Sequence, residues 1–388
     1  MTAIAAGPLR GVRVLDIATM LAGPYGATLL GDLGAEVIKV ESPQGDTCRS
    51  MGPARDGTSG VFHGVNRNKR GIVLDLRQDR DQGVLHRLLD WADVLVMNQL
   101  PSVKQALGLD PAGLDLAHPR LISVSASTFG ETGPYAGRPG IDPVAQALSG
   151  FMAVTGITGG EPTKAGPPVA DSVASLLVAV GALAALWERA STGRAQHVEV
   201  ALIDGLIHVQ APYVGQYFLL GTQQPRTGNS TDWYAPYNSY TCRDGGRIQL
   251  ACHNDKFFAR FADAIGRADL VDDERFATNE ARLEHRHALD EIIGAFCASL
   301  DRADALDRLW ASDVIVGPVN DYAETFSDAQ VRHNEMVVEL PTDDGPVVTA
   351  GVPLRFSRTP GSVRRPPPRL GQHTDEILAE LGLAERAS

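Results

Sequence analysis

The apolar residues of the first half of the chain recur in two rhythms. Residues 12–18 (VRVLDIA), 36–41 (EVIKVE), 72–77 (IVLDLR), 93–98 (DVLVMN) and 121–127 (LISVSAS) are short apolar runs of strand length. Between them the spacing becomes helical. Leu29, Leu30 and Leu33 follow a Gly23-Pro24 opening, and Val84, Leu85, Leu88 and Leu89 share one face of the next segment. Proline suits a first helical position, because its fixed φ is already helical and no N–H is missed there. Strands alternating with helices predict an α/β fold with a parallel sheet and right-handed crossovers. In such sheets ligands gather beyond the carboxyl ends of the strands. That rule nominates Leu21, Ala22, Arg77, Asn98 and Ser127.

The pattern continues with an apolar stretch at 144–154, a strand at 196–202 and an apolar, aromatic helix at 205–220. The run at 176–187 holds only apolar residues and glycine, which predicts a helix buried on nearly all sides. It is too short to cross a bilayer. A polar segment, 221–233 (GTQQPRTGNSTDW), breaks the pattern and marks a domain boundary. Beyond it, 240–242 and 247–252 flank the Asp244-Gly245-Gly246 turn of a hairpin, and helical spacing runs from 255 to 310. Strands return at 337–340 and 347–354 around Asp343-Asp344-Gly345, and a short helix starts near Thr374. This divides the chain into 1–220, a smaller α/β domain at 221–330, and a segment at 331–388.

One stretch carries chemistry. Lys164-Ala165-Gly166-Pro167-Pro168-Val169-Ala170-Asp171-Ser172 is rich in Gly and Pro, ends in a carboxylate and runs directly into the apolar helix. Asp171 thus falls where a helix begins, and unpaired N–H groups with the positive end of the dipole would hold a carboxylate ionised. Read alone, Asp171 is either an N-cap, a preferred use of Asp, or a catalytic anion.

Charge and composition narrow the function. A net charge of −12 argues against nonspecific binding to nucleic acid or an anionic membrane, while leaving room for a small polyanion held by local cations. Four scattered cysteines without a CxxC pair, and ten histidines without HxxxH, offer no metal site and suit a reducing cytoplasm. The first eight residues are too short and too weakly apolar for a signal peptide. The first β-α-β unit and Glu41 resemble a dinucleotide-binding unit, but Gly23 and Gly26 give GxxG where the fingerprint needs GxGxxG.

The landmarks, taken in order, resemble a known family. They are Leu9-Arg10-Gly11-Val12-Arg13-Val14-Leu15-Asp16, Ala22-Gly23-Pro24, Leu33-Gly34-Ala35-Glu36-Val37-Ile38-Lys39-Val40-Glu41 and Asn68-Lys69-Arg70, followed by Arg138-Pro139-Gly140-Ile141-Asp142, Thr192-Gly193-Arg194-Ala195-Gln196, Gly317-Pro318-Val319 and Leu370-Gly371-Gln372-His373-Thr374. Together they resemble the family III CoA-transferases, named for carnitine CoA-transferase and bile-acid-inducible protein F, with formyl-CoA transferase among them. The resemblance implies a large Rossmann-like parallel-sheet domain with a smaller α/β domain inserted, the C-terminal segment returning to the first. It also implies two chains interlocked as a homodimer. No permanent cofactor is implied, since CoA and acyl-CoA are substrates.

The family's nucleophile falls on Asp171, and its CoA contacts fall on Leu21, Ala22, Leu74, Asp75, Arg77, Asn98, Gln99, Arg138 and Asp142. Where some relatives carry phosphate-gripping arginines this chain has Ser42 and Ala106, with Lys104, two residues before the latter, a further candidate CoA contact. It also lacks the run of consecutive glycines that covers the active site of formyl-CoA transferase, which weakens the case for oxalate and formate as substrates. The implied reaction moves CoA from an acyl-CoA to a carboxylic acid through an aspartyl-CoA intermediate. The rivals are an α-methylacyl-CoA racemase, an NAD-dependent oxidoreductase and a non-catalytic acyl-CoA binder, against which the presence of Asp171 argues. The racemases carry Gly-His-Asp where this chain has Gly140-Ile141-Asp142, and isoleucine cannot exchange a proton.

Overall fold

A computed structural model describes residues 7–55, 58–342 and 345–383. Residues 1–6 of the segment weighed as a signal peptide, and Asp343 and Asp344 of the last predicted turn, lie outside them. Six strands form the central sheet: β1 (Arg13–Asp16), β2 (Glu36–Glu41), β3 (Lys69–Val73), β4 (Val94–Met97), β5 (Ile122–Ser127) and β6 (His197–Ala201). All neighbours are parallel, in the spatial order β3-β2-β1-β4-β5-β6. The order reverses between β1 and β4, where a doubly wound sheet opens its ligand crevice. The helices α1 (Ala22–Asp32), α2 (Asp79–Trp91), α3 (Pro101–Ala106), α4 (Asp142–Leu148), α5 (Val169–Thr192), α6 (Leu202–Val209) and α7 (Ala211–Leu220) accompany the sheet.

Alternation along the strands sorts side chains into two cores. Val14, Val37, Val94 and Val96 pack with α1 and α5, and Leu15, Ile38, Leu95 and Met97 pack on the other face with α2. The third strand starts and ends earlier than the predicted 72–77. Lys69 and Arg70 belong to it because their charges are paired. Lys69 Nζ lies 2.8 Å from Asp16 Oδ2, and Arg70 reaches Glu36, Glu376 and Glu380 at 2.5–2.8 Å. Buried charge is tolerated only with such partners. Through the Arg70 contacts the helix Thr374–Glu380 is fastened against β3.

The apolar helix is longer than the run that announced it, because polar residues at both ends are also helical. At 24 residues, with a mean hydropathy of 2.1 over its most apolar window, α5 is long and apolar enough to cross a membrane by length and composition alone. It packs in the core against α1, α6 and β5. It is not buried on nearly all sides, since Leu176, Val180 and Trp187 are 56%, 58% and 77% exposed.

The closeness of α1 and α5 depends on glycine. A methyl group on Gly26 would stand 2.5 Å from Val178 Cγ1. Gly26→Val is therefore expected to cost about 1–3 kcal/mol by overpacking, read as a lower denaturation midpoint. An unchanged midpoint would show that the helices give way freely.

The chain divides into two compact units, Met1–Phe151 with Lys164–Leu220 and Gln330–Ser388, and Met152–Thr163 with Gly221–Ala329. The second unit has an antiparallel sheet of Tyr237–Thr241, Arg247–Ala251 and Ile315–Pro318. Its core gathers Phe258, Phe261, Phe276, Ile293 and Leu309, contributed largely by the helices Asp255–Ala264, Arg286–Ala298 and Arg302–Trp310.

Candidate active site

A cavity of about 510 Å³ opens at the reversal of strand order, a volume usual for small-molecule sites. Among the described residues, those that line it belong to the first unit. They include Leu21 and Ala22 after β1, Asn98 and Gln99 after β4, Lys104 on α3, Ser127 at the end of β5, Arg138 and Ile141 on the following loop, Asp142 on α4 and Asp171 on α5. Leu74, Asp75 and Arg77 do not line it. Leu74 is buried in the apolar core. The exposed Arg77 guanidinium is paired with Asp75 at 2.8 Å.

The side chains of Asn98 and Gln99 shape the wall. Asn98 Oδ1 accepts from Thr19 N at 2.9 Å, its Nδ2 donates to Thr19 O at 2.7 Å, and Gln99 Nε2 donates to Ile17 O at 2.5 Å. Met20, the next residue, has φ +70°, unusual for a side chain of its size. It is held by Asp46 Oδ1, which accepts from Met20 N at 3.1 Å, while Asp46 Oδ2 lies 2.9 Å from the buried Lys39 Nζ. The sequence hid this support, because Lys39 and Asp46 read as ordinary polar residues of a strand and a loop.

The dinucleotide reading loses its residues in the same region. Gly23 and Gly26 are occupied by helix packing, against Ala18 and Val178. Glu41, at the ribose-binding position, is buried and paired with Arg49 at 2.6 Å.

Asp171 sits in the first turn of α5, but it is not the cap. Asp142 takes that role. Its Oδ1 accepts from Ala170 N at 2.7 Å and from Asp171 N at 3.2 Å, and its Oδ2 accepts from Gln146 Nε2 at 2.5 Å. Val169 N and Ser172 N donate to Pro167 and Pro168 carbonyls. The helix-start N–H groups are thus occupied, which corrects the expectation that they hold Asp171 ionised. Burial pushes the Asp171 carboxyl up, and the neighbouring Asp142 carboxylate pushes it further, to about 7. Asp142, expected among CoA contacts, is 7% exposed and spends both oxygens inside the protein.

The cations of the cavity differ in availability. Lys104 is buried, donates to Ser125 Oγ at 2.5 Å and is ion-paired with Glu131. Hydrogen bonding from His197, opposed by burial and aided by Lys104, holds Glu131 down at about 2. Lys104 is therefore no free phosphate ligand. Arg138 is exposed, with its guanidinium 4.4 Å from the Tyr135 ring centroid. Lys164 is exposed, and among the described residues its ammonium meets only the Ala165 carbonyl, at 3.1 Å. Among the described residues neither has a carboxylate partner, and no group of three His, Cys, Asp or Glu is placed to hold a metal.

The family model of CoA-transferase family III matches residues 9–374. Succinate–glutarate CoA-transferase of Agrobacterium fabrum is 37% identical over 390 residues, covering 98% of this chain and 97% of that protein. Succinyl-CoA–D-citramalate CoA-transferase of Chloroflexus aurantiacus is 36% identical over 383 residues, covering 97% of this chain and 95% of that protein. The crystal structure of a CAIB/BAIF family protein from Brucella suis superposes with a TM-score of 0.89 at 37% identity, over 97% of this chain and 100% of that one. The chain belongs to CoA-transferase family III, and it is an enzyme that transfers CoA between an acyl-CoA thioester and a carboxylic acid.

Proposed function

We propose that transfer proceeds through Asp171 as a covalent nucleophile. The observation that carries this reading is that, of the cavity's carboxyls, Asp171 is pushed up to about 7 and its side chain is left outside the hydrogen bonds of its helix start, which Asp142 makes. A carboxylate of raised pKa is the better nucleophile, and near neutral pH a useful fraction of it is ionised.

The Asp171 carboxylate attacks the donor thioester, forming an aspartyl–acyl anhydride and releasing CoA thiolate. The thiolate attacks the aspartyl carbonyl, the donor acid departs as carboxylate, and an aspartyl-CoA thioester remains. The acceptor carboxylate attacks that thioester and releases thiolate again. The thiolate then attacks the acceptor's acyl carbon, giving the new acyl-CoA and free Asp171. One thioester is exchanged for another, so no redox step or metal is required. Gly166 lines the cavity, and its N–H has no partner among the described residues. It is the donor suited to a developing oxyanion.

Leu21, Ala22, Asn98, Gln99 and Arg138 are the proposed CoA contacts, with Arg138 the cation proposed for phosphate. Ile141 lines the cavity where a racemase needs a proton-exchanging group, which favours transfer over racemisation. Relatives named for succinate, glutarate and citramalate support short dicarboxylic acids as substrates. Four free, buried cysteines fit a reducing cytoplasm. The test uses an acceptor acid carrying heavy oxygen in its carboxylate. Its bridging oxygen stays on Asp171 after each turnover, so the Asp171 peptide is expected to become labelled. Turnover without label would mean direct attack of acceptor on donor.

The homodimer is part of the same proposal. Leu176, Val180 and Trp187 on α5 and Phe218, Leu219 and Leu220 at the end of α7 are large apolar side chains left exposed, the kind of surface that a partner chain covers. Light scattering is expected to give the mass of two chains at micromolar concentration. The mass of one chain, 41.3 kDa, would contradict it.

A further inference from the structure

We infer that Lys164 selects the acid, its ammonium binding the second carboxylate of a dicarboxylic substrate whose first carboxylate reacts at Asp171. The inference rests on Asp171 as the reacting group and names the residue that sets substrate class. Three cations line the cavity, and they are not equivalent. Lys104 is neutralised by Glu131 and buried. Arg138 stands on the loop after β5, over Tyr135. Lys164 belongs to the loop that runs into Asp171, and its charge is uncommitted among the described residues.

The position of Lys164 is tied to that of Asp171. Ala165 N donates to Gln146 Oε1 at 2.8 Å, Gln146 Nε2 donates to Asp142 Oδ2 at 2.5 Å, and Asp142 Oδ1 accepts from Asp171 N at 3.2 Å. Gln146 is fully buried. One Asp–Gln pair therefore fixes both the loop carrying the cation and the turn carrying the carboxyl.

Substrate chemistry assigns the cation. The phosphates of CoA lie at the far end of the pantetheine arm, remote from the thioester. The second charge of a short diacid lies close to it. A second carboxylate entering here meets Asp142 on the wall, where Glu131 is already balanced by Lys104, and without a further cation it would be repelled. A cation on the nucleophile's own loop answers that need.

The test compares glutarate with pentanoate, acids of equal chain length that differ in the second carboxylate, using one acyl-CoA donor. Wild type is expected to prefer glutarate. Lys164→Met should lower the ratio of kcat/KM for glutarate over pentanoate by about ten- to hundred-fold, the range of a charge-assisted hydrogen bond. Lys164→Arg should restore part of it. Circular dichroism and Tm are expected to match wild type, since the side chain is exposed. A parallel loss on both acids in Lys164→Met would move Lys164 to CoA binding, and an unchanged ratio would leave it without a role. Either overturns the inference while leaving Asp171 untouched. Absence of heavy oxygen in the Asp171 peptide, with the ratio still falling, would instead overturn the nucleophile.

Discussion

Replacement of Asp171 by alanine is expected to abolish CoA transfer, with a loss in kcat/KM on the order of 10⁴-fold or more, as for other covalent nucleophiles. Asn in its place should do the same, because an amide of equal shape does not attack a thioester. Neither change should unfold the chain. The folded carboxyl titrates at about 7 against an ordinary 3.8, so the folded state holds its proton more tightly than the unfolded one. Its contribution to stability is present at low pH and is lost as pH rises from about 4 through 7. Asp171→Asn should therefore be more stable than wild type at pH 8 and little different at pH 4. A shift of this size corresponds to at most about 4 kcal/mol, and opening of the carboxyl to the cavity reduces that. An inactive variant with unimpaired Tm separates chemistry from folding.

The second large effect concerns pH. With acyl-CoA as the varied substrate, kcat/KM of wild type is expected to fall roughly tenfold per pH unit below about 7 and to level above it, as Asp171 loses its proton. Asp142→Asn removes the neighbouring charge and keeps an oxygen for Ala170 N. The midpoint should drop below 7 without returning to 3.8, because burial, the larger cause, remains. The same change sets an amide nitrogen against Gln146 Nε2, now 2.5 Å from Asp142 Oδ2, and should cost about 1–3 kcal/mol of stability. A pH profile unmoved by Asp142→Asn would mean that the limb belongs to another group.

The sheet was legible because its strands are apolar runs of one period and its helices of another. Strand β3 begins and ends earlier than its apolar run predicts, because periodicity cannot see charge pairing. Lys69 and Arg70 look like loop residues until Asp16, Glu36 and Glu376 are placed beside them. Asp171 stands out in the sequence by what surrounds it, a Gly/Pro loop leading into an apolar helix. Its electrostatics do not, since the cap comes from Asp142, 29 residues earlier, and no local pattern reports that. Lys104 and Arg77 illustrate the same limit. Both are cations at suitable places in the chain, and both are already paired, with Glu131 and with Asp75.

The central claim is tested most directly by mass spectrometry of the intact enzyme and its peptides after incubation with succinyl-CoA and rapid quenching in acid. The mechanism predicts a gain equal to CoA less one water, located on the peptide containing Asp171 and absent from Asp171→Ala. Succinyl-CoA turnover with no such adduct, or the same adduct persisting in Asp171→Ala, would contradict it.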